Sequence, residues 1–317
     1  MAAPRLQRVL TASVFALLSL ALGGASCDKK SVANPAEPGP NVPFEPPAGG
    51  AKPAAKPAEA AKPAVPPAAI ATPSAGAAAA GSHVADLLEK LPSPCGKAMS
   101  LKKTLDSDPS CKQAPFAKKF VERLAGLEIT DDQITDVYGR RYGEHETYTF
   151  SLRDTPFIGS PNAPVVLVEF FDYACPHCRE AAPILEEVVA QRPKDVVLYF
   201  KNYPLRKDSM DPARAAIAAF RQGKFKEMHK ALFAHQGSLS REEVFGYAKE
   251  LGLDMKKFEK DWSDPATEAK VNADKDEGGK AKLQGTPTLY LNGRSYADVL
   301  SPDSLNDWID EELAVNR

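Results

Sequence analysis

An apolar run that ends in two closely spaced cysteines constrains this chain more than any other stretch. Val165–Phe171 is almost wholly β-branched, aliphatic or aromatic, as a strand covered on both faces requires. It leads through Asp172, Tyr173 and Ala174 into Cys175-Pro176-His177-Cys178, after which Ala182, Leu185, Val188 and Val189 recur at helical spacing. Cys175 therefore falls where the first backbone N–H groups of a helix lack internal acceptors and the helix dipole is positive. That position favours a thiolate over a thiol, and thiolates carry out disulfide exchange. The stretch reads as a redox turn.

The rest of the composition narrows the possibilities. Forty basic residues face 42 acidic ones, for a net charge of −2, and no basic stripe marks a nucleic-acid partner. The five cysteines divide into Cys27 near the start, the Cys175–Cys178 pair, and Cys95 with Cys111. One modified cysteine and two pairs suit an oxidising compartment outside the cytosol.

Residues 1–27 carry a basic start (Arg5, Arg8), an apolar run of about 14 residues and then small residues before Cys27. The run is short for a membrane span and suits an export signal. A cysteine directly after small residues resembles the bacterial lipoprotein signal, which implies lipidation of Cys27 and a membrane anchor. Gly24 stands where an aliphatic residue is usual in that signal, so simple cleavage and release stays the alternative. Residues 28–81 are dominated by Ala, Pro, Lys and Gly, with Ala-Lys-Pro-Ala units at Ala51, Ala55 and Ala61. Too few large apolar groups are present to offset the entropy of ordering, and the segment is expected to be a disordered tether.

Residues 82–145 predict a small helical region. Val84, Leu87, Leu88 and Leu91 form an apolar face stopped by Pro92 and Pro94. Phe116, Phe120 and Leu124 line a second helix, and Thr130 to Gln133 has the spacing of a capping box. Cys95 and Cys111 are expected to form a structural disulfide closing a loop of about 15 residues, which stabilises by about 3 kcal/mol on the chain-entropy model. A relay of electrons to the Cys175–Cys178 pair is the rival reading.

Residues 146–317 read as strand, strand, helix, strand, a helical block over about 205–283, two strands and a helix. The first strand is expected at 147–151 and the third at Val196–Asn202. Asp211 is read as an N-cap with Pro212 at N1, and Gly223 as that helix's end. Ser240 to Glu243 forms a capping box, Asp264-Pro265 opens a long polar helix to about Leu283, and Ser301-Pro302 opens the last one. Asn292-Gly293 supplies a tight hairpin turn.

Cys175-Pro176-His177-Cys178 after Val-Glu-Phe-Phe, a later Gly285-Thr286-Pro287-Thr-Leu, and a helical segment between them resemble the DsbA-type thiol–disulfide oxidoreductases of the bacterial envelope. The resemblance covers about half the chain. It implies an α/β, thioredoxin-like fold with a helical insertion, here preceded by the small helical region and the tether. It makes Cys175 the nucleophile that forms a mixed disulfide and Cys178 the resolving cysteine. Pro176 and His177 fill the variable dipeptide, with His177 donating a hydrogen bond or positive charge to the Cys175 thiolate. Pro287 matches a cis-proline loop facing the cysteines, and Thr286 the backbone that pairs with an extended substrate. Glu169 matches a buried acid beneath the site that tunes the thiols and moves protons, and Lys201 on the next strand is its expected partner. Pro183 is expected to kink the first site helix. Asp172, Tyr173 and Arg179 are expected at the rim without a chemical role.

The leading reading is an envelope enzyme that oxidises reduced, unfolded secreted proteins and is itself reoxidised by a membrane redox partner. Exchange by thiolate attack needs no metal and no bound organic cofactor. Two alternatives stay open. One is a disulfide isomerase or reductase of the same fold, for which residues 84–141 offer a dimer surface. The other is an envelope metal carrier using Cys175, Cys178 and His177.

Overall fold

The computed structural model describes residues 77–315. The expected export signal (1–27), Cys27 and most of the tether (28–81) lie outside the described residues. Five strands make one sheet: β1 (Phe157–Gly159), β2 (Val165–Phe171), β3 (Val196–Asn202), β4 (Thr288–Leu291) and β5 (Arg294–Ser295). Their spatial order is β1-β3-β2-β4-β5. The central pair, β2 and β3, is parallel, and the other pairings are antiparallel. That is the thioredoxin-like arrangement expected from the sequence.

Because side chains alternate along a strand, the register assigns each β2 residue to a face. Glu169 sits beside Phe200 of β3 and Leu289 of β4, whereas Phe170 sits beside Lys201 and Thr288. Val165, Leu167 and Phe171 share the Glu169 face with Val196, Leu198 and Phe200, all buried in the main core. On the opposite face Val168, Phe170 and Tyr290 form a second cluster. Lys201 is thus one pleat out of phase with Glu169 and does not pair with it. Its ammonium lies 2.9 Å from Asp274 and 2.7 Å from Glu277, under the opposite face of the sheet.

The expected strand at 147–151 does not form, and the first strand lies at β1 instead. Tyr148 and Phe150 alternate as a strand would, but their rings pack over the sheet on Tyr290 and Phe170 at 4.9–5.5 Å. The backbone touches the sheet where the Tyr148 N–H donates to Gly293 O. Gly293 has φ of +81°, and a Cβ there would lie 2.2 Å from Tyr148 O, so the Asn292-Gly293 turn requires its glycine.

Helices α1 (Ala77–Lys90), α2 (Leu101–Ser107), α3 (Ala114–Ala125) and α4 (Asp131–Tyr142) form the N-terminal unit. α1 begins inside the stretch read as tether, so residues 77–81 are helical. α2 arises in the segment between the cysteines, capped by Ser100. The Thr130–Gln133 capping box is present. Leu87, Leu91, Leu101, Phe120, Val121 and Ile134 give this unit a core of its own. Cys95 and Cys111 are disulfide-bonded with Cα atoms 5.9 Å apart.

α5 (Pro176–Gln191) follows β2 directly. Between β3 and β4 lie α6 (Met210–Phe220), α7 (Phe225–Ala234), α8 (Arg241–Glu250), α9 (Met255–Ser263) and α10 (Pro265–Lys280), and α11 (Pro302–Val315) follows β5. The cap of α6 is Ser209, at the end of a 3-10 turn (Lys207–Ser209), not Asp211. The 3-10 turn starts the helical winding early, which places Asp211 and Pro212 in the first turn, where a missing N–H costs nothing. Among the described residues no helix is long and apolar enough to cross a membrane.

Buried charge ties the N-terminal unit to α11 and the loop before it. Arg141, 1% exposed, lies 2.7 Å from Glu311 and 3.7 Å from Asp298, with its guanidinium 4.4 Å from the Trp308 ring. Tyr142 donates to the same Glu311 carboxylate at 3.0 Å. Removing one member of such a cluster strands the others without compensation. Arg141→Ala is therefore expected to destabilise the protein by about 3–5 kcal/mol in urea unfolding, the range for breaking a buried ion pair.

Candidate active site

Between the end of β2 and the N-cap of α5 lie three residues, Asp172 to Ala174, that are tightly held. The Asp172 carboxylate accepts from Ala174 N (2.8 Å), Leu205 N (2.8 Å) and Ser209 Oγ (3.0 Å). Tyr173 is buried, and its hydroxyl lies 3.0 Å from Nδ1 of His229 on α7. Asp172 and Tyr173 are thus internal supports, not rim residues; their polar groups had to be bonded once the turn was covered by the insertion. Arg179 is exposed.

Cys175 is the N-cap of α5 and Pro176 occupies its first turn. Both cysteines are free thiols; Cys175 is partly exposed and Cys178 is fully buried. Pro183 lies inside α5. The Thr286–Pro287 peptide is cis and brings the loop before β4 against the cysteines, so that the Cys175 thiol donates to Thr286 O at 3.2 Å. The Thr286 hydroxyl is buried without a protein partner among the described residues. It is free to donate to Cys175 once the sulfur is charged.

The Cys175 thiol is lowered to about 5, first by a hydrogen bond from the Cys178 thiol. The Thr286 hydroxyl and the backbone N–H groups of Cys178 and His177 act in the same direction, while burial opposes them. Cys178 moves strongly upward because its proton is engaged by Cys175, because it is buried, and because Glu169 lies near. The two sulfurs are thereby driven apart, the outer one toward a thiolate and the inner one toward a thiol.

Glu169 is wholly buried, and neither carboxylate oxygen has a protein hydrogen-bond partner among the described residues. Burial, then the Cys175 and Glu186 charges, push its carboxyl up to about 8. His177 is exposed, with Nδ1 3.4 Å from Glu180 Oε2, so its ring faces Glu180 while its main-chain N–H faces the sulfur. Among the described residues no three His, Cys, Asp or Glu side chains converge as metal ligands. A cleft of about 420 Å³ runs beside the cis proline, lined in part by Tyr148, Leu283, Pro287, Tyr290, Tyr296 and Leu300.

Sequence reasoning did not find His229, Ser209 or Gln236. Gln236, in the loop after α7, donates through Nε2 to the carbonyls of Tyr173 (2.8 Å) and Cys175 (2.7 Å). No local signal marks these residues, which lie 34 to 61 positions from Cys175, the cysteine whose turn they hold.

Comparison with known proteins agrees with the geometry. The family model Thioredoxin_4, described as thioredoxin, matches residues 151–311, and the chain belongs to that family. Solved structures similar to it include a thioredoxin-like oxidoreductase from Silicibacter pomeroyi DSS-3, 32% identical, covering 50% of this chain and 91% of that one with a TM-score of 0.47. BdbD from Bacillus subtilis (oxidised) is 24% identical, with 53% and 97% covered and a TM-score of 0.48. Among curated relatives, the Na(+)/H(+) antiporter NhaA 1 of Mycobacterium sp. (strain KMS) is 37% identical over 143 residues, 44% of this chain. The match spans only 23% of the antiporter's length.

Two measurements check the electrostatics. Thiolate absorbance of the reduced protein is expected to rise with a midpoint about 5 and not near the 8.5 of a free cysteine. For Glu169, the folded carboxyl at about 8 binds a proton that the unfolded chain releases near pH 4.5, so stability falls as pH rises through that window. Glu169→Gln removes this slope. Its stability relative to wild type is expected to grow between pH 4.5 and 8, to a gain on the order of a few kcal/mol by urea unfolding.

Proposed function

We propose that this protein is a thiol–disulfide oxidoreductase of the bacterial envelope that oxidises cysteines of reduced, unfolded secreted proteins. The observation that carries the reading is the half-buried Cys175 at the head of α5, its thiolate favoured by surrounding donors, facing the cis Thr286–Pro287 loop with Cys178 buried behind it. Stabilising the Cys175 thiolate stabilises the reduced pair, and so makes the disulfide form the stronger oxidant.

In the proposed cycle a substrate thiolate attacks the Cys175 sulfur of the oxidised enzyme. The Cys175–Cys178 bond breaks and its electron pair leaves on Cys178, which takes a proton through Glu169. A second substrate thiolate then attacks the substrate sulfur of the mixed disulfide and releases Cys175 as a thiolate. The substrate has lost two electrons and the enzyme pair has gained them. A membrane partner carrying its own oxidising disulfide removes them again. Pro176 and His177 shape the approach to Cys175, with the His177 main-chain N–H favouring negative charge on the sulfur. Thr286 and Pro287 receive an extended substrate segment. Lipidation at Cys27 and the residue 28–81 tether would hold this domain near the membrane, on the periplasmic side.

An isomerase or reductase would use the same groups in the reduced state. The donors around Cys175 favour the oxidase direction, because a stabilised thiolate is a good leaving group and a poor reductant. Ion transport, named for relatives of which this chain spans about a quarter, forms no part of the proposal. The test is the equilibrium of the pair with glutathione. A potential near about −120 mV is expected, and a value near about −270 mV would sink the oxidase direction and leave a reductase.

A further inference from the structure

Gln236 belongs to no helix or strand, yet it makes two of the shortest contacts to the cysteine turn. Its Nε2 donates to Tyr173 O at 2.8 Å and to Cys175 O at 2.7 Å. Both amide hydrogens are used, which fixes the orientation of the carboxamide, since its oxygen could not face two carbonyl oxygens. The loop that presents it is firmly held. His235 N donates to Ala231 O and Ser238 N to His235 O. Tyr247 donates to Ser238 O at 2.8 Å, and the His235 ring stacks on the Tyr247 ring at 4.7 Å. Gly237, with φ of +110°, lets the chain turn away directly after the glutamine.

The carbonyls it engages belong to the turn that carries the reacting sulfur, one of them to Cys175 itself. The Cys175 carbonyl opens the α5 ladder by accepting the Arg179 N–H at 3.3 Å, a long bond that leaves room for a second donor. A carbonyl oxygen carries partial negative charge, and uncompensated carbonyls in the turn that holds Sγ disfavour a thiolate there. We infer that Gln236 is a positioning residue for disulfide exchange: by clamping the Tyr173 and Cys175 carbonyls it keeps the His177 and Cys178 N–H groups aimed at Sγ and offsets the carbonyl charge of that turn. The helical insertion thereby takes part in the chemistry through one loop residue that touches neither the sulfur nor the substrate. This inference rests on the reading of Cys175 as the exchanging sulfur.

The ionisable groups coupled to Cys175 are Cys178 on α5 and Glu169 on β2, with the exposed His177 beside them. Gln236 does not titrate, so replacing it leaves that set intact. The test uses the full chain carrying Gln236→Met, which keeps the length and loses both donors. Folding is checked by circular dichroism. The expected result is a fall in the Cys175 ionisation constant of about three- to tenfold, the size of losing neutral hydrogen bonds beside a charge. The glutathione equilibrium shifts by the same factor toward the enzyme disulfide. A residue that merely filled space would move neither readout. Should the Met variant not fold, Gln236→Asn, whose amide is one methylene too short to reach both carbonyls, carries the same two measurements. A folded variant with wild-type ionisation and equilibrium overturns the inference alone. A wild-type thiol that titrates like free cysteine, at about 8.5, overturns the exchange reading and this inference with it.

Discussion

Everything around the site is arranged for one negative charge on the Cys175 sulfur. Partial burial works against that charge, and the Cys178 thiol, the Thr286 hydroxyl and two backbone N–H groups outweigh it. The donors come from two structural sources: the first turn of α5 gives the inner thiol and the two amides, and the loop before β4 gives the threonine. None of them reaches the sulfur unless β2 ends where it does and Asp172 fixes the turn that follows. The charge is therefore a property of the assembled fold and not of the four-residue motif. Glu169 behind it stays neutral for the same reason in reverse, since no donor meets its carboxylate.

Strand parity separates the two buried polar systems of the sheet. Glu169 and Lys201 are neighbours on adjacent strands, yet they point to opposite faces. On one face a lone carboxyl lies among the apolar side chains of the main core; on the other, Lys201, Lys270, Asp274 and Glu277 close a network under α10. Had the register slipped by one residue, the acid would have met a cation and become an ordinary ion pair. An unpaired, protonatable acid beneath the cysteines exists because the ladder keeps the lysine away.

Much of this was readable in the amino-acid sequence where short-range rules apply. The run from Val165 into Cys175, the capping boxes at Thr130 and Ser240, and the Asn292-Gly293 hairpin all appear where local pattern placed them. The Thr-Pro motif supplied the loop opposite the cysteines. The failures share a cause. Tyr148 and Phe150 alternate like strand residues, and only the tertiary arrangement decides that their rings lie flat over a finished sheet. Lys201 was given to Glu169 because periodicity does not reveal which way a neighbouring strand is phased. Asp172, Tyr173 and Gln236 were missed as supports because their partners come from an insertion distant in the chain.

Asp298 sits at a junction of two features. It lies in the loop between β5 and α11 that borders the cleft beside the cis proline, and its carboxylate is buried against Arg123 and Arg141 of the N-terminal unit. One wall of the cleft is accordingly bolted to a separate helical core through largely buried charges, which water screens less than surface pairs. Moving that wall would break buried ion pairs, so any widening of the cleft falls to the opposite side.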